Sequence, residues 1–332
     1  MSASKLVTVY GATGAQGGSV VRSLLRNHSG IFQVRAISRN PDSEAARALA
    51  AAGAEVVKAD GFKKEELVKS FAGSWGIFVN TNSDDPAVGQ KNGPSETAIG
   101  KDVVDAAVEA GVKYFVYSGL ASASIVTNDE VPIECFDEKH AIAEYARSKP
   151  SFSSVVVISP GWYMENFLDK EIASTFGGLP YFPDEDGYLT LHWPHWGGND
   201  EAPLAAIGAD FGDYAHGVFL QPEKYNGMFI QGFSQPTSLS DVAKDVQEVT
   251  GKKARFVPIE DWRSIETNGD RFMITVKGMF GLCQYSGGCY YGTPNSTEVA
   301  FELKQAAIMA QGREQGDAKL LTFKEFLQKN LS

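Results

Sequence analysis

The sequence predicts an α/β protein built on a doubly wound parallel sheet, with a smaller, discontinuous α+β lobe attached. Three observations predict it. Short apolar runs alternate with helical patterns from Lys5 to Lys113, which is how a parallel sheet wrapped by crossover helices reads. Three glycines stand between the first apolar run and the first helical pattern. After Pro160 the alternation gives way to a stretch rich in aromatic residues, glycine and proline, a composition suited to short elements around a pocket.

Each element follows in turn. Residues 6–10 read as a buried strand and 19–25 as a helix with Val20, Val21, Leu24 and Leu25 on one face. Residues 34–38 are the second strand, 44–52 an alanine-rich helix stopped by Gly53, and 54–58 the third strand. A helix over 63–71 leads to a strand over 76–80. Residues 96–110 form a long amphipathic helix that turns Val103, Val104, Ala107 and Val108 inward and stops at Gly111. A fifth strand at 114–118, a helix at 138–147 and a sixth strand at 155–158 complete the alternation. Six parallel strands with right-handed crossovers result. Beyond them, Pro180, Pro183 and Pro194 break any long element between 176 and 203, which reads as a pocket-forming insertion. Residues 240–250 are helical up to Gly251, 255–259 a strand, and 296–311 and 322–330 helices, while 283–291, rich in glycine and tyrosine, is ambiguous.

Length and charge narrow the function classes. A chain of 332 residues makes about two lobes. Its 30 basic and 41 acidic residues leave a formal charge of −11, a field opposed to phosphate backbones and anionic lipid, so neither nucleic acid nor membrane is the expected partner. Cys135, Cys283 and Cys289 give no even disulfide framework and no four-ligand zinc spacing; no metal is expected, and a reducing compartment is. Met1 to Lys5 shows no charged-then-apolar signal. The expected location is cytoplasmic, or nuclear for a regulator.

The glycine loop carries the chemistry. Gly11, Gly14 and Gly17 are spaced so that the first permits a tight strand-to-helix turn. The second lets backbone approach a pyrophosphate, and the third lets helix and strand pack closely. Thr13, Ala15 and Gln16 fill the loop and the helix start, whose amides hold the anion. At the end of the second strand an acid would accept from a ribose 2′-hydroxyl, but Ser38, Arg39 and Asn40 stand there. Arg39 offers a charged fork to a 2′-phosphate, so the expected cofactor is NADP(H). Asp60, after the third strand, reads either as a contact to the adenine amino group or as a loop cap. Asn80 and Thr81, after the fourth strand, are further expected cofactor contacts. The domains drawn are an NADP-binding Rossmann domain at 1–160 and mainly a substrate lobe at 161–332, with 204–235 returning to the sheet.

The run from Gly11 to Val20, with Ser38-Arg39-Asn40-Pro41, Tyr117-Ser118-Gly119-Leu120, Phe136-Asp137 ahead of Lys139, and Pro160 through Phe167, resembles the NmrA-like family of atypical short-chain dehydrogenases. The resemblance is greatest to its NADPH-sensing redox-sensor branch and spans nearly the whole chain. It implies NADP(H) binding, with Arg39 facing the 2′-phosphate and the segment from Pro160 to Asn166, Tyr163 included, near the nicotinamide. The family mixes reductases with proteins that bind NADP and regulate without known turnover.

Short-chain dehydrogenases use Tyr-x-x-x-Lys, the lysine holding the nicotinamide ribose and lowering the pKa of the proton-donating tyrosine. Here Lys139 fits the lysine, but Cys135 stands in the tyrosine's place. Lys139 is expected at the ribose, and Cys135 in packing. Ser118 reads either as a substrate-orienting hydroxyl or as a strand-end hydrogen-bonding group. Tyr163 supplies the missing phenol or packs over the nicotinamide. His192, beside Trp193, His195 and Trp196, is a candidate proton donor in what otherwise reads as an aromatic pocket wall. Two functions follow: an NADPH-dependent reductase of a carbonyl, imine or conjugated double bond in an apolar small molecule, or a non-catalytic NADPH sensor acting on a regulatory protein partner. A crevice plugged by Trp162, Tyr163 or Trp193 favours the sensor. A homodimer is left open.

Overall fold

A computed structural model describes residues 4–90 and 93–331. Strand and helix alternate as β1 (Lys5–Tyr10), α1 (Ala15–Leu25), β2 (Phe32–Ser38), α2 (Glu44–Ala51), β3 (Glu55–Lys58), α3 (Lys64–Phe71), β4 (Gly76–Val79), α4 (Glu96–Glu109) and β5 (Tyr114–Ser118). Then come α5 (Ala123–Thr127), α6 (Glu134–Arg147), β6 (Ser154–Pro160), β7 (Trp162–Tyr163), α7 (Lys170–Thr175), β8 (Leu189–Pro194) and β9 (Glu201–Ala205). The chain closes with α8 (Gly212–Leu220), β10 (Phe229–Gly232), β11 (Gln235–Ser238), α9 (Leu239–Thr250), β12 (Ala254–Ile259), α10 (Arg271–Tyr285), α11 (Glu298–Ala310) and α12 (Phe323–Asn330).

The central sheet runs β3-β2-β1-β4-β5-β6-β10, and every pair in it is parallel. It has seven strands where the sequence predicts six. The seventh, β10, falls in the 204–235 stretch expected to return to the sheet and sets Ile230 beside Ile158 of β6; a four-residue run between turns is too short to place as a strand by pattern. Alternation along the strands feeds two cores. Phe78, Val116, Val156 and Ile158 face one side with Val7, Val9 and α1. Ile77, Val79, Phe115, Tyr117, Val155 and Val157 face the other, against α3, α4 and α6. Burial on both faces is why these strands read as continuous apolar runs.

The first core continues into the second half of the chain, taking in Trp162, Phe167, Trp193, Trp196 and Phe280. Around it lie a three-stranded sheet, β11-β9-β7, and a parallel pair, β12-β8. The sequence reading gives no helix at α5, α7, α8 or α10 and starts α6 too late. α6 begins at Glu134, a turn earlier than expected. α10 was not expected, because Gly278 and Gly281 interrupt its helical pattern. Both glycines sit at close contacts: a Cβ would lie 2.9 Å from Ile133 at Gly278 and 2.7 Å from Trp262 at Gly281. Asp270 caps the helix, accepting from Met273 N at 2.9 Å.

A buried polar knot ties α1 to α8, with Gln311 at the end of α11 donating to Ser23 Oγ at 2.9 Å. Asn27 Nδ2 lies 3.0 Å from His216 Nε2, which leaves the ring proton on Nδ1, 3.1 Å from Ser23 Oγ. Ser23 Oγ in turn donates to Asp213 Oδ1 at 2.6 Å. Although these are a serine, a histidine and an aspartate, none lines a described cavity; the trio packs helices. Burial pushes the imidazole down to about 4, so folding holds His216 neutral. Its contribution is fully present above its ordinary value of 6.5 and is lost as pH falls to about 4. That loss amounts to about 3 kcal/mol. Denaturant unfolding between these pH values should show the decline, and His216→Gln should flatten it.

Candidate functional site

The sheet order reverses between β1 and β4, the switch point at which crevices form outside the strands' carboxyl ends. Two adjoining cavities open there, of about 370 Å³ and 280 Å³. They share Asn80, Thr81 and Asn82, so the two lie side by side along that stretch of chain.

The glycine loop forms the larger cavity's floor. Gly11 has φ +77°, and a Cβ there would lie 2.7 Å from the Asn80 carbonyl oxygen; only glycine suits that turn. A Cβ on Gly17 would lie 2.2 Å from the Gly11 carbonyl oxygen, so this glycine lets α1 press onto the loop. Gly14 differs, since its nearest obstruction is 3.4 Å away. It is the N-cap of α1 and has no side-chain cap, and Thr13, Gly14 and Ala15 are exposed. Bare amides at a helix amino terminus are an anion site.

Arg39 reaches this cavity from the end of β2 and pairs with Asp85, Nη1 to Oδ2 at 2.8 Å. Asp60 does not line it. Its Oδ1 accepts from Phe62 N at 3.1 Å, so of its two readings the loop cap is the one displayed.

The smaller cavity gathers Gln16, Ser118, Lys139, Pro160, Tyr163 and Asn166 from four separate stretches of chain. The same cavity is lined by Phe136, Trp162, Phe272, Met279 and Tyr290, two of them from the unforeseen α10. His192 is elsewhere. Strand alternation turns Trp193 into the core and leaves His192 exposed on β8, its Nδ1 2.9 Å from the Val257 carbonyl oxygen. Trp193 and Trp196 are fully buried and line neither cavity.

Lys139 is embedded. Its Nζ donates to the Thr81 carbonyl at 2.9 Å, Thr81 Oγ1 at 3.0 Å and Glu96 Oε1 at 2.6 Å. Three acceptors use all three ammonium hydrogens, so a ribose contact requires one of these bonds to exchange. Burial acts to lower the lysine's pKa, but Tyr117 and Glu96 raise it by more. Lys139 is therefore a fixed cation. Glu96 was missed in the sequence because an acid after Ser95 reads simply as a helix start; its Oε2 is buried without a partner. Lys139→Met should cost about 3–5 kcal/mol by stranding that carboxylate, and adding Glu96→Gln should restore most of it in denaturant unfolding.

Two further groups line the smaller cavity. Cys135 Sγ lies 3.0 Å from Ser83 Oγ, and burial pushes the thiol up to about 11; it stays a thiol. Gln16 Nε2 donates to the Tyr163 phenol oxygen, which leaves the phenol's own hydrogen free to point elsewhere. Burial also raises the Tyr163 pKa, so this phenol keeps its proton at neutral pH.

The fold and the glycine-floored crevice define a Rossmann-type α/β protein. The chain belongs to the NmrA-like family, whose model matches residues 3–327. It is 46% identical over 332 residues to the NmrA-like family domain-containing oxidoreductase FrzB of a Cladobotryum species, covering 98% of each chain. Among solved structures it is similar to the negative transcriptional regulator NmrA in complex with NADP, at a TM-score of 0.75 and 20% identity over 98% of this chain and 95% of that one. It is likewise similar to the Escherichia coli NADPH-dependent quinone oxidoreductase QOR2 complexed with NADPH, at 0.70 and 21% over 98% and 100%. At such identities these two likenesses speak for the fold. Among the described residues, no helix is long and apolar enough to cross a membrane, and no three His, Cys, Asp or Glu residues are grouped to hold a metal ion.

Proposed function

We propose that this NmrA-like protein is an NADP(H)-dependent reductase acting on a carbonyl, imine or conjugated double bond of an apolar small molecule. The observation that carries the reading is the open 280 Å³ cavity, lined by the Tyr163 phenol, that adjoins the glycine-loop cavity along Asn80, Thr81 and Asn82. The residues fit the cofactor: bare α1 amides and the open space at Gly14 for a pyrophosphate, and Arg39 for a 2′-phosphate. NADPH, when bound, supplies a hydride. The chain does the rest. Lys139 places a permanent positive charge beside the crevice, Ser118 and Asn166 offer polar contacts to orient a substrate, and Tyr163 holds the proton that a reduced oxygen, nitrogen or carbon takes up. Phe136, Trp162, Phe272 and Met279 exclude water and favour an apolar, planar substrate.

NmrA is a regulator and QOR2 a quinone oxidoreductase, so the fold accommodates both readings. The regulatory reading expects a plugged crevice, whereas Trp162 and Tyr163 line an open one and Trp193 lies apart. The oxidoreductase name of FrzB also supports turnover. The test is NADPH consumption by purified protein across aromatic and aliphatic aldehydes, ketones, cyclic imines and enones. Turnover of at least one class is expected. Tight NADPH binding with no turnover of any of them would overturn the reading.

A further inference from the structure

The end of β2 carries no acid, and Arg39 stands there instead. The fold nevertheless delivers an acid to the same place by another route. Asp85, on the loop between β4 and α4, sets Oδ2 2.8 Å from Arg39 Nη1, and both residues line the glycine-loop cavity. The Arg39 side chain is 62% exposed and that of Asp85 only 8%. The carboxylate is also the anchored partner. Its Oδ1 accepts from Ala87 N at 3.0 Å, Val88 N donates to the Asp85 carbonyl at 2.8 Å, and Arg271 of α10 donates to the Val88 carbonyl. Among the described residues lining this cavity Arg39 is the one cation, and Asp85 and Glu96 are the carboxylates. Glu96 is neutralised by Lys139 at 2.6 Å, so Asp85 and Arg39 are left to balance each other.

A carboxylate at the adenosine ribose accepts from a free 2′-hydroxyl, whereas an arginine receives a 2′-phosphate. We infer that Asp85 is the residue that sets cofactor preference: an acidic ribose reader supplied by a loop, competing with the 2′-phosphate for Arg39 and favouring the unphosphorylated ribose. The protein therefore binds both NADP(H) and NAD(H), with the preference for the phosphorylated form muted by Asp85. This inference rests on the reading of the larger cavity as the adenosine end of the cofactor site.

Asp85→Asn keeps an oxygen for Ala87 N and removes the charge. The measurement is the dissociation constant of NADPH and of NADH, by fluorescence titration of the purified full chain, and the readout is their ratio. Removing one like charge beside an anion should tighten NADPH about fivefold and weaken NADH about twofold, moving the ratio about tenfold toward NADPH. Asp85→Ser should move it the same way. A ratio that stays within about twofold of wild type in both variants, or that moves toward NADH, overturns the inference. Because both ligands report on the same protein, a loosened loop that weakens them equally leaves the ratio unmoved and counts against it. Failure of the underlying reading looks different: wild-type protein then binds neither dinucleotide, or Arg39→Ala leaves the NADPH constant unchanged, and the inference falls with it.

Discussion

Tyr163→Phe lowers kcat for reduction by at least about a hundredfold, the usual worth of a positioned general acid, while the NADPH dissociation constant changes by less than about threefold. Phenylalanine keeps the ring in the cavity lining but removes the hydrogen that the Gln16 contact leaves free. The pH profile gives a second signature. Burial raises the phenol's pKa above its ordinary 10.0, so wild-type kcat should stay level from neutral pH through the range where a free tyrosine ionises, then fall as the phenolate forms. Steady-state kinetics on whichever substrate class turns over, with NADPH saturating, measures both. A Tyr163→Phe enzyme with wild-type kcat would move the proton donor to water or to Ser118, since Cys135 is held as a weak acid by burial and His192 lies outside the crevice.

Arg39→Ala weakens NADPH binding by roughly ten- to hundredfold, corresponding to the loss of one or more charge-assisted hydrogen bonds of about 1.5–3 kcal/mol. NADH affinity changes little, because the glycine loop and the α1 amides still hold the pyrophosphate. Asp85 then loses its cation, so the order of preference should invert toward NADH. Arg39→Lys restores charge without the planar fork and should recover only part of the loss. Titration of both dinucleotides against the two variants measures this. An unchanged NADPH constant in Arg39→Ala would withdraw the 2′-phosphate site from this end of the crevice, against a net field that the chain's formal charge of −11 already makes unfavourable to an anion.

What the sequence made legible follows from how local each signal is. The parallel sheet was readable because strands buried on both faces are continuous apolar runs with turn residues between them, and the glycine loop because its spacing is fixed by backbone geometry within one turn of chain. Gly11 and Gly17 show the two requirements directly, one a positive φ and the other a contact that no Cβ survives. β10 was legible only as a return of 204–235 to the sheet with no strand placed, and α8 and α10 were not legible. Four residues carry too little pattern, and in α10 the two glycines that look like breakers are the points where Ile133 and Trp262 approach. The site divided in the same way. Lys139, Tyr163 and Ser118 could be placed at the ends of known elements, whereas Glu96 and Asp85 act through partners 43 and 46 positions away. No sequence pattern links an arginine after β2 to an aspartate on the β4–α4 loop. His192 was misplaced for a related reason: in an aromatic run, which of two neighbours faces the core depends on the register of β8 against β12, and that register lies in the partner strand.

The central claim is that the two adjoining cavities hold cofactor and substrate end to end, and the structure of the protein crystallised with NADPH tests it most directly. The account predicts pyrophosphate density at the Gly14–Gln16 amides, the 2′-phosphate at Arg39, and the nicotinamide beside Pro160 and Tyr163, with the space toward Phe272 and Met279 still open. A nicotinamide that fills the smaller cavity, or one that lies away from Tyr163 with that cavity closed, would contradict it.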